Sequence, residues 1–443
     1  MNEGWRPGRV APVEGPFLVA NTSEEGFPRL AWGGPEDGFL VLSDAPEVLD
    51  AENLGEGPAT LYADVGGRIR GRVRVLMFHT NRTGTARRLG LTVRNLAQSG
   101  GALERPDRAS ACVAADANGT RGGVAATRGW LGTLVRPAAR EALGAGQAIV
   151  VLDQEVRPGE TLVALVPLNL AGDDGEALPL AVQTWAAAAG APRGRVEDTW
   201  QAPLAPWQTA HNTSSKIRAT VPHAWARVTL DAPADRPVFL DLCAVSPSGG
   251  SGASPGQGDP GPTGHPLPGR TAAWLSPSHA QALTARPWPY QADPAGYDGR
   301  SPASEYVAGW DDADQRAEGV ADPGAQPAFW YRSSRYGVWM RQWNYGEYGC
   351  ALDITVRSES SLALAVTPAR ERFSCPWQWH EPVRAVTGGV PWETITAGLL
   401  GTRYGGSSTG YVVATGVREH RLVTTVTPGA YAPYRLAVVP RGR

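Results

Sequence analysis

The sequence predicts an all-β protein built from antiparallel strands. Short apolar runs such as PFLVA, RLAWGG and GFLVLS within residues 15–45 have the length of single strands, and turn residues separate them. The 443 residues include 54 Gly and 38 Pro, which is high for a compact helical protein. Several segments alternate apolar and polar residues, as strands with one buried face do. These three observations favour sandwich-like sheets.

One strand–turn–strand pattern occurs twice, at residues 75–94 and 338–357. The segments VLMFHTNRTGTARRLGLTVR and VWMRQWNYGEYGCALDITVR align without a gap, and both turns contain Asn and Gly, which tolerate hairpin geometry. The apolar positions on one face of the second strands are Leu89, Leu91, Val93, Leu352, Ile354 and Val356. We expect two equivalent half-buried hairpins produced by internal duplication. Chance matching between strands rich in Val, Leu and Thr is the alternative.

The length predicts two domains, because one hydrophobic core rarely serves more than about 250–300 residues. We assign residues 1–190 to a first sandwich-like domain, 191–215 to a connector and 216–443 to a second domain. Residues 246–269, SPSGGSGASPGQGDPGPTGHPLPG, cannot bury a core and are predicted to form a flexible loop inside the second domain. A mobile connector between two arms is the alternative for this loop.

The remaining elements follow from turn signals and helix boundaries. A short helix is predicted at 137–144, because a Pro begins it and a Gly ends it. Strands are predicted at 148–153, 161–167, 180–187, 217–221, 225–230, 238–245, 410–415, 421–427 and 434–439.

Four arginines alternate with apolar residues in the segment RIRGRVRVLM, residues 68–77. Arg68, Arg70, Arg72 and Arg74 share one parity, and Ile69, Val73 and Val75 share the other. On one strand, this pattern predicts a solvent-exposed arginine row above a buried apolar face. A purely solvated face is one interpretation. A binding stripe for an acidic glycan, a phosphate polymer or another anionic partner is the other.

Charge and targeting signals limit the function classes. A formal net charge of −2 argues against a nucleic-acid binder. The N-terminus, MNEGWRPGRV, lacks the apolar segment of a signal peptide, and no stretch approaches the roughly 20 apolar residues of a membrane helix. We expect no membrane span, and a protein that is intracellular or exported without its signal.

Cysteine spacing indicates no metal ribbon or attached haem. Cys112, Cys243, Cys350 and Cys375 form no CxxC pair. Disulfides and buried thiols both remain open, including a loop closed by the last two cysteines.

Two aromatic tracts are candidates for ligand binding. They lie at 329–348 and around WQWHE at 377–381. The residues singled out are Trp343, Tyr345, Tyr348, Trp377 and Trp379. Exposed aromatic rings stack on sugar faces, whereas buried ones fill a core or a domain interface, and both interpretations fit the sequence.

An acidic segment follows Gly309-Trp310. Asp311, Asp312, Asp314 and Glu318 are oxygen ligands of the kind that hold calcium, although their spacing is not that of an EF-hand. A solvated acidic turn is the alternative, and no other cofactor is indicated.

No residue set identifies a catalytic site. Glu381 with Glu393, or Asp311 with Glu318, has the chemistry of a glycosidase pair but no distinctive spacing. His79 has no partner that the sequence identifies, and hydrolase, metalloprotease and nucleotide-binding motifs are absent from the sequence.

A further set of motifs carries a family resemblance. A strand with YGV at 336–338 leads into the Asn- and Gly-containing turn and then into a strand ending in TVR at 355–357. The motif YVAGWDDA at 306–313 precedes this hairpin pattern, and PG at 428–429 and YRLAVVP at 434–440 follow it. This order resembles the β-rich region of bacterial secreted proteins that carry a copper-amine-oxidase-like N-terminal stalk domain. Residues 44–183 resemble the front half of that region, and the sequence contains no stalk domain. The resemblance implies an extracellular, non-catalytic role.

The resemblance does not imply amine oxidation. Asn344-Tyr345-Gly346-Glu347 differs from the Asn-Tyr-acid motif of copper amine oxidases by the intervening Gly, and the sequence has no His-x-His pair.

We therefore expect two related antiparallel β-sandwich-like domains with a short helix and long loops. The expected function is a non-catalytic structural or adhesive protein, extracellular or at a cell surface, that self-associates into an oligomer or filament. A glycan-binding module or glycoside hydrolase that uses the Trp-rich tracts is the second hypothesis. A self-assembling virion or shell component is the third.

Overall fold

The structure is a computed structural model. It describes residues 37–191, except 45–46, 55–57, 68, 108–111, 118 and 135–137. It also describes residues 6, 10–12, 18–20, 29–32, 218–221, 224–241, 330–333, 338–341, 349, 351–368, 379–387, 393–400, 409–425, 428 and 434–441.

The described elements are almost all strands. The first are β1 Val10–Pro12, β2 Leu18–Ala20, β3 Arg29–Trp32, β4 Phe39–Ser43, β5 Val48–Leu49, β6 Ala59–Asp64, β7 Arg72–Asn81, β8 Arg87–Asn95, β9 Gly101–Arg105, β10 Val113–Asp116, β11 Ala139–Leu143 and β12 Ala148–Val156. The next are β13 Thr161–Ala171, β14 Leu180–Ala188, β15 Arg218–Val221, β16 Trp225–Asp231, β17 Val238–Asp241, β18 Trp330–Ser333, β19 Val338–Arg341, β20 Ala351–Pro368, β21 Trp379–Thr387, β22 Glu393–Leu400, β23 Thr409–Thr425 and β24 Tyr434–Arg441. The helices are α1 Ala51–Leu54 and α2 Gly119–Thr133. The predicted all-β class is confirmed.

The chain divides into two compact units. The first unit comprises Gly34–Ala224 and Arg300–Asn344, and the second comprises Met1–Gly33, Trp225–Gly299 and Tyr345–Arg443. This division differs from the predicted boundaries, because β1, β2 and β3 pair with β23, β17 and β16, while β15 pairs with β4. The predicted flexible loop 246–269 lies outside the described residues.

Eight strands of the first unit form nested antiparallel pairs. β6 pairs with β14, β7 with β13, β8 with β12, and β9 with β11. The first strand of the set therefore pairs with the last, and each further pair lies inside the previous pair in the sequence. One sheet has the order β12-β8-β14-β6, and the other contains β11-β9-β13-β7 and continues through β4 to β15. This is the strand order of a jelly roll, a sandwich made by folding one long hairpin over on itself.

The two sheets of the first unit share one hydrophobic core. The inward positions are apolar and fully buried, as at Leu91, Val93 and Val75. The predicted apolar face of β8 is therefore confirmed. The strand is not half-buried as predicted, because Thr92 and Arg88 on its other face are only 0% and 4% exposed.

The hairpin predicted at 75–94 is wrong. β7 and β8 belong to different sheets, so the chain crosses the sandwich between them instead of turning back alongside itself. β8 lies between two antiparallel neighbours, β12 and β14, whereas the first half of β20 lies between parallel β16 and antiparallel β23. The two similar segments occupy unlike positions, which does not support duplication.

The predicted helix at 137–144 is also wrong. Residues 139–143 form edge strand β11, and the long helix is α2. Its sequence, GTRGGVAATRGWLGT, is rich in Gly and has low helix propensity. Packing stabilises it instead, because Ala126, Trp130 and Leu131 form a fully buried face at helical spacing.

Asn81 ends β7, where the chain crosses from one sheet to the other, and its side-chain amide bonds this connection. Its Nδ2 donates to the carbonyls of Thr85 and Val156, at 2.8 and 2.9 Å, and its Oδ1 accepts from the backbone N–H and hydroxyl of Thr83, at 3.0 and 2.9 Å. One buried amide thereby ties its own crossing loop to the end of β12. In the opposing turn, Gly159 donates its N–H to the Asn81 carbonyl at 2.7 Å. Gly159 has a φ of 84°, which favours glycine.

Asn95 repeats this arrangement at the next crossing. Its Nδ2 donates to the carbonyls of Ser99 and Leu143, at 2.9 and 3.0 Å, and its Oδ1 accepts from Ala97 at 2.9 Å. Gly146, with φ of 68°, donates to the Asn95 carbonyl at 3.0 Å. We call Asn81 and Asn95 the crossing asparagines.

Replacing Asn81 tests this role. Asn81→Ala removes the two bonds that Nδ2 donates to carbonyls, and it removes the acceptor of the Thr83 backbone N–H. We expect the free energy of unfolding to fall by about 2–4 kcal/mol in urea titrations. Gln98→Ala, at an exposed position of the other crossing, is the matched control and should change it by less than about 0.5 kcal/mol. Equal effects of the two substitutions would contradict the assignment.

Candidate functional site

The predicted arginine row is only partly present. Ile69, Val73 and Val75 are buried, and Arg70 and Arg72 are exposed, as predicted. Arg68 lies outside the described residues. Arg70 does not share a strand with Arg72 and Arg74, because Gly71 adopts a φ of 62° and β7 begins only at residue 72.

Arg74 contradicts the predicted row because it is buried. Only 4% of the residue is exposed, its Nη1 donates to the carbonyl of Ala224 at 3.1 Å, and its guanidinium lies 4.3 Å from the centre of the Trp130 ring. Helix α2 covers this part of the sheet. The strand pattern gave the correct parity for Arg74 but could not reveal the helix above it.

The exposed arginines of the row lie beside an acidic turn. Gly71 approaches Ala177 so closely that a Cβ at Gly71 would lie 2.8 Å from the Ala177 Cβ. The turn before Ala177 carries exposed Asp173, Asp174 and Glu176. A polyanion at Arg70 and Arg72 would therefore meet negative as well as positive charge, which does not favour the anion-binding interpretation of this strand.

His79 joins the two sheets inside the sandwich. Its Nε2 lies 3.0 Å from the Ser43 hydroxyl, which lies 2.7 Å from the hydroxyl of Thr184 on the opposite sheet. All three residues are fully buried. A serine beside a histidine can act as a nucleophile and base, but these groups face no solvent. His79 and Thr184 lie 36 and 141 residues from Ser43 along the chain, so sequence reasoning missed this group.

The outer face of the four-stranded sheet is equally enclosed. Trp185 lies over Gly90, where a Cβ would overlap its ring, and donates from Nε1 to Thr92 at 2.9 Å. Arg88 makes a two-pronged ion pair with Asp153, and this hydrogen bonding raises the pKa of Arg88 above its ordinary value. These contacts hold the strands together, and the carboxylate of Asp153 stays partly exposed.

A polar face of the second unit is more open. β16, β20 and β23 stay in register over seven residues without a bulge, from Trp225/Ala351/Thr425 to Asp231/Arg357/Glu419. The outward positions that we call the Arg227 face are Trp225, Arg227, Thr229, Asp231, Ala351, Asp353, Thr355, Arg357, Glu419, Arg421, Val423 and Thr425. Ala351, Val423 and Thr425 among them are buried. The inward positions between them, such as Val228, Ile354 and Leu422, are buried.

A buried carboxylate organises this face. Asp353 accepts from Nε and Nη2 of Arg421, at 2.8 and 2.6 Å, and its side chain is 9% exposed whereas that of Arg421 is 53% exposed. The bond to Asp353 raises the pKa of Arg421, and the positive charge of nearby Arg227 opposes that shift. Two guanidinium groups thus lie around one carboxylate.

Two threonines continue the same face. Thr229 and Thr355 are directly opposite each other on neighbouring strands, and both are half-exposed. Among the described residues, neither hydroxyl has a hydrogen-bond partner. Farther along, Arg357 pairs with Glu419 at 2.9 Å. The face therefore offers hydroxyl and guanidinium donors side by side.

His420 is buried behind this face. It is 1% exposed, and neither ring nitrogen makes a hydrogen bond of normal geometry with the described residues. Burial lowers the pKa of His420 below its usual value, and a weak polar contact with the backbone of Leu362 opposes the shift. The lowered pKa favours the neutral imidazole at neutral pH.

Most aromatic and acidic candidates cannot be placed. The residues outside the described ranges are Trp343, Tyr345, Tyr348, Trp377, Asp311, Asp312, Asp314 and Glu318. Trp379 begins β21. Among the described residues, no group of three His, Cys, Asp or Glu is arranged to hold a metal ion. The calcium interpretation stays a prediction.

The paired strands β21 and β22 carry the other proposed carboxylates. Glu381 lies opposite Ala397, and Glu393 lies opposite Ala385. These two backbone positions are four residues apart along the ladder, about 13 Å. The backbone register does not fix the separation of the two carboxyl groups, so this glycosidase pair stays a hypothesis.

Cys112 is a buried free thiol in the first unit. Burial raises the pKa of Cys112 to about 12, which keeps it unreactive. The other cysteines lie outside the described residues. No described helix is long and apolar enough to cross a membrane.

Arg74 and Arg72 give a matched pair of substitutions. Arg74→Ser removes the stack on Trp130 and the donor to Ala224, so we expect a loss of about 2–4 kcal/mol of unfolding free energy. Arg72→Ser, on the same strand and exposed, should cost less than about 0.5 kcal/mol. Thermal and urea unfolding of both variants measures the difference. Equal costs would mean that Arg74 is exposed after all.

The buried imidazole predicts a loss of stability in acid. Above the unfolded pKa of about 6.5, both states hold His420 neutral and it contributes no pH dependence. As pH falls below that value, the unfolded chain binds the proton first, so stability falls by up to about 1.4 kcal/mol per pH unit until the lowered folded pKa is reached. Amide exchange of β23 between pH 7.5 and 5 measures this effect. His420→Gln should remove the difference, and an unchanged acid response in that variant would refute the assignment.

Comparison with known proteins identifies no family. No family model matches the chain, and neither does any curated protein. Among solved structures, the CUB1-EGF-CUB2 region of human MASP-1/3 is 8% identical, with 83% of this chain and 93% of that chain covered and a TM-score of 0.15. Vicilin from Capsicum annuum is 8% identical, with 82% and 74% covered and a TM-score of 0.11. At such TM-scores, neither likeness carries an argument about fold or function.

Proposed function

We propose that this chain is a non-catalytic structural or adhesive protein, extracellular or at a cell surface, that associates with copies of itself. The supporting observation is the way in which the first unit uses its chemically capable side chains. His79, Arg74 and Arg88 are each buried and bonded between strands or to a helix. Groups held in this way stabilise a rigid block, and they are not available to a substrate.

The surface of that block agrees with a building-block role. Val65 and Leu134, at 50% and 38% exposed, are the large apolar side chains on the surface of the described residues. Cross-strand pairs such as Arg105–Glu141 and Arg140–Glu104 put charge on edge strand β11 and its neighbour β9. Charged edges resist uncontrolled strand addition. Association would therefore use defined polar faces.

Fold alone does not choose among structural roles, because jelly rolls serve in shells, lectins and enzymes alike. The resemblance to bacterial secreted proteins, noted above for 306–357 and 428–440, favours the cell-surface form of the proposal. A shell component belongs to the same self-associating class. The architecture of the assembly distinguishes the cell-surface role from the shell role.

Sedimentation velocity and negative-stain electron microscopy test the proposal. We expect species larger than the 46.8 kDa chain whose share rises with protein concentration. Filaments or sheets would favour the adhesive role, and closed particles the shell role. A single 46.8 kDa species at every concentration would overturn self-association.

Glycan binding is a second candidate, favoured by the Arg227 face. Trp225 and Arg227 lie two residues apart on one face of β16, with the Thr229 hydroxyl next in line. A ring, a guanidinium and hydroxyls in sequence suit a charged sugar better than a protein helix. An adhesive protein needs such a contact with its surface.

A further inference from the structure

We propose that copies of this chain associate through β12, which pairs antiparallel with β12 of a second copy and joins two four-stranded sheets into one continuous sheet. The inference rests on the self-association proposed above and names the surface that it uses. The polar groups of that surface are the backbone N–H and carbonyl groups at the edge of the sheet.

The two edges of the four-stranded sheet differ in exposure. At one edge, β6 is buried at five of its six positions, and the hydroxyl of Tyr62 lies 2.7 Å from that of Thr220. At the other edge, β12 pairs with β8 alone among the described strands. Residues 148–150 of β12 are partly exposed, and Asp153 and Glu155 are exposed. Among the described residues of this sheet, β12 is therefore the edge that is open to a further strand.

The first half of β12 lacks the features that protect an edge strand. Residues 148–152 read AIVVL, with no charge, proline or glycine, and Ile149 packs against the core of the first unit. β-Branched residues favour strand pairing. Edge strand β11 of the other sheet differs, because Arg140 and Glu141 form ion pairs with its neighbour β9. The charged strand resists the addition of another strand, and the uncharged segment accepts it.

The second half of β12 limits where a partner can bind. Asp153 and Glu155 are exposed acidic residues, and Nε2 of Gln154 donates to the carbonyl of Glu155 at 2.9 Å. Antiparallel pairing centred on Gln154 would set Asp153 of one copy opposite Glu155 of the other, and like charges in that position are destabilising. Pairing is therefore confined to residues 148–152.

A second copy of β12 fits this segment. Antiparallel pairing centred on Val150 sets Ala148 opposite Leu152, and it sets Ile149 opposite Val151. Only apolar side chains then lie opposite one another, and the carboxylates fall beyond the paired residues. The contact is self-complementary, as an interface on a two-fold axis must be.

A β-bulge makes β12 selective for such a partner. Val150 and Leu152 lie opposite successive residues of β8, which leaves Val151 as an extra residue. A bulge bends its strand and increases the local twist. A flat strand does not follow that twist, whereas a second copy of β12 has the same twist.

Sedimentation velocity tests the proposal by a substitution at the centre of the segment. Val150→Lys places two like charges opposite each other across the two-fold axis. We expect the dissociation constant for self-association to rise at least tenfold. Ala142→Lys, at an exposed position of edge strand β11, is the matched control and should stay within twofold of the parent. Circular dichroism and melting curves show whether both variants are folded.

Hydrogen exchange of the parent protein tests the same contact without a substitution. We expect exchange of the backbone amides in residues 148–152 to slow as protein concentration rises, because amides at the open edge gain partners in the second copy. Amides of residues 139–143 in β11 should exchange at a rate that does not depend on concentration. If Val150→Lys does not fold, this measurement decides alone.

The outcomes distinguish the interface from the proposed function. A folded Val150→Lys that associates as tightly as the parent overturns the inference and leaves self-association in place, and so does exchange in 148–152 that ignores concentration while the parent associates. Equal weakening by Ala142→Lys means that added charge alone is responsible, which overturns the assignment to β12. A parent that stays at 46.8 kDa at every concentration overturns the proposed function and the inference with it.

Discussion

The first unit depends on satisfying backbone groups where the chain crosses between sheets. A jelly roll changes sheets at most of its connections, and each crossing takes N–H and carbonyl groups away from a ladder partner. The crossing asparagines meet this need in the same way twice: each amide bonds its own loop and the opposing strand end. A glycine with positive φ in each opposing turn brings the second backbone contact within reach. Without these bonds, the buried carbonyls would oppose the sandwich that the apolar strands favour.

Closure of the sandwich explains where the polar residues lie. Once the strands nest, the Ser43 hydroxyl lies within hydrogen-bond distance of His79 on its own sheet and of Thr184 on the opposite sheet. Helix α2 covers Arg74 on one outer surface, and Trp185 covers Gly90 on the other. Parts of both outer surfaces of the first unit are therefore covered. Among the described residues of the second unit, the Arg227 face is partly exposed, and the glycan-binding candidate rests on that face.

The sequence predicted which face of a strand is buried more reliably than which strands pair with each other. Alternation correctly placed Leu89, Leu91 and Val93 inside, because the period of two is a local property of a strand. It could not say that β8 pairs with β12 and β14 instead of β7, since Asn and Gly serve a crossing loop as readily as a hairpin turn. Helix α2 was missed because its glycine-rich sequence forms a helix only through packing on the sheet.

The candidate site was less predictable than the fold. Trp225 and Arg227 are local neighbours and could have been noticed as a pair. Arg421 and Asp353, however, are 68 residues apart, and only the register of β20 with β23 brings them together. The same holds for His79, whose partners are set by nesting across the whole unit.

Amide-to-amide nuclear Overhauser contacts in the perdeuterated chain test the central claim, that β7 and β8 lie in opposite sheets although they are consecutive in sequence. The account predicts cross-strand contacts between β6 and β14, in the register that sets Asp64 beside Val182, and between β8 and β12. Contacts between β7 and β8 across the 82–86 connection would instead show a simple hairpin, and they would contradict the nested jelly roll.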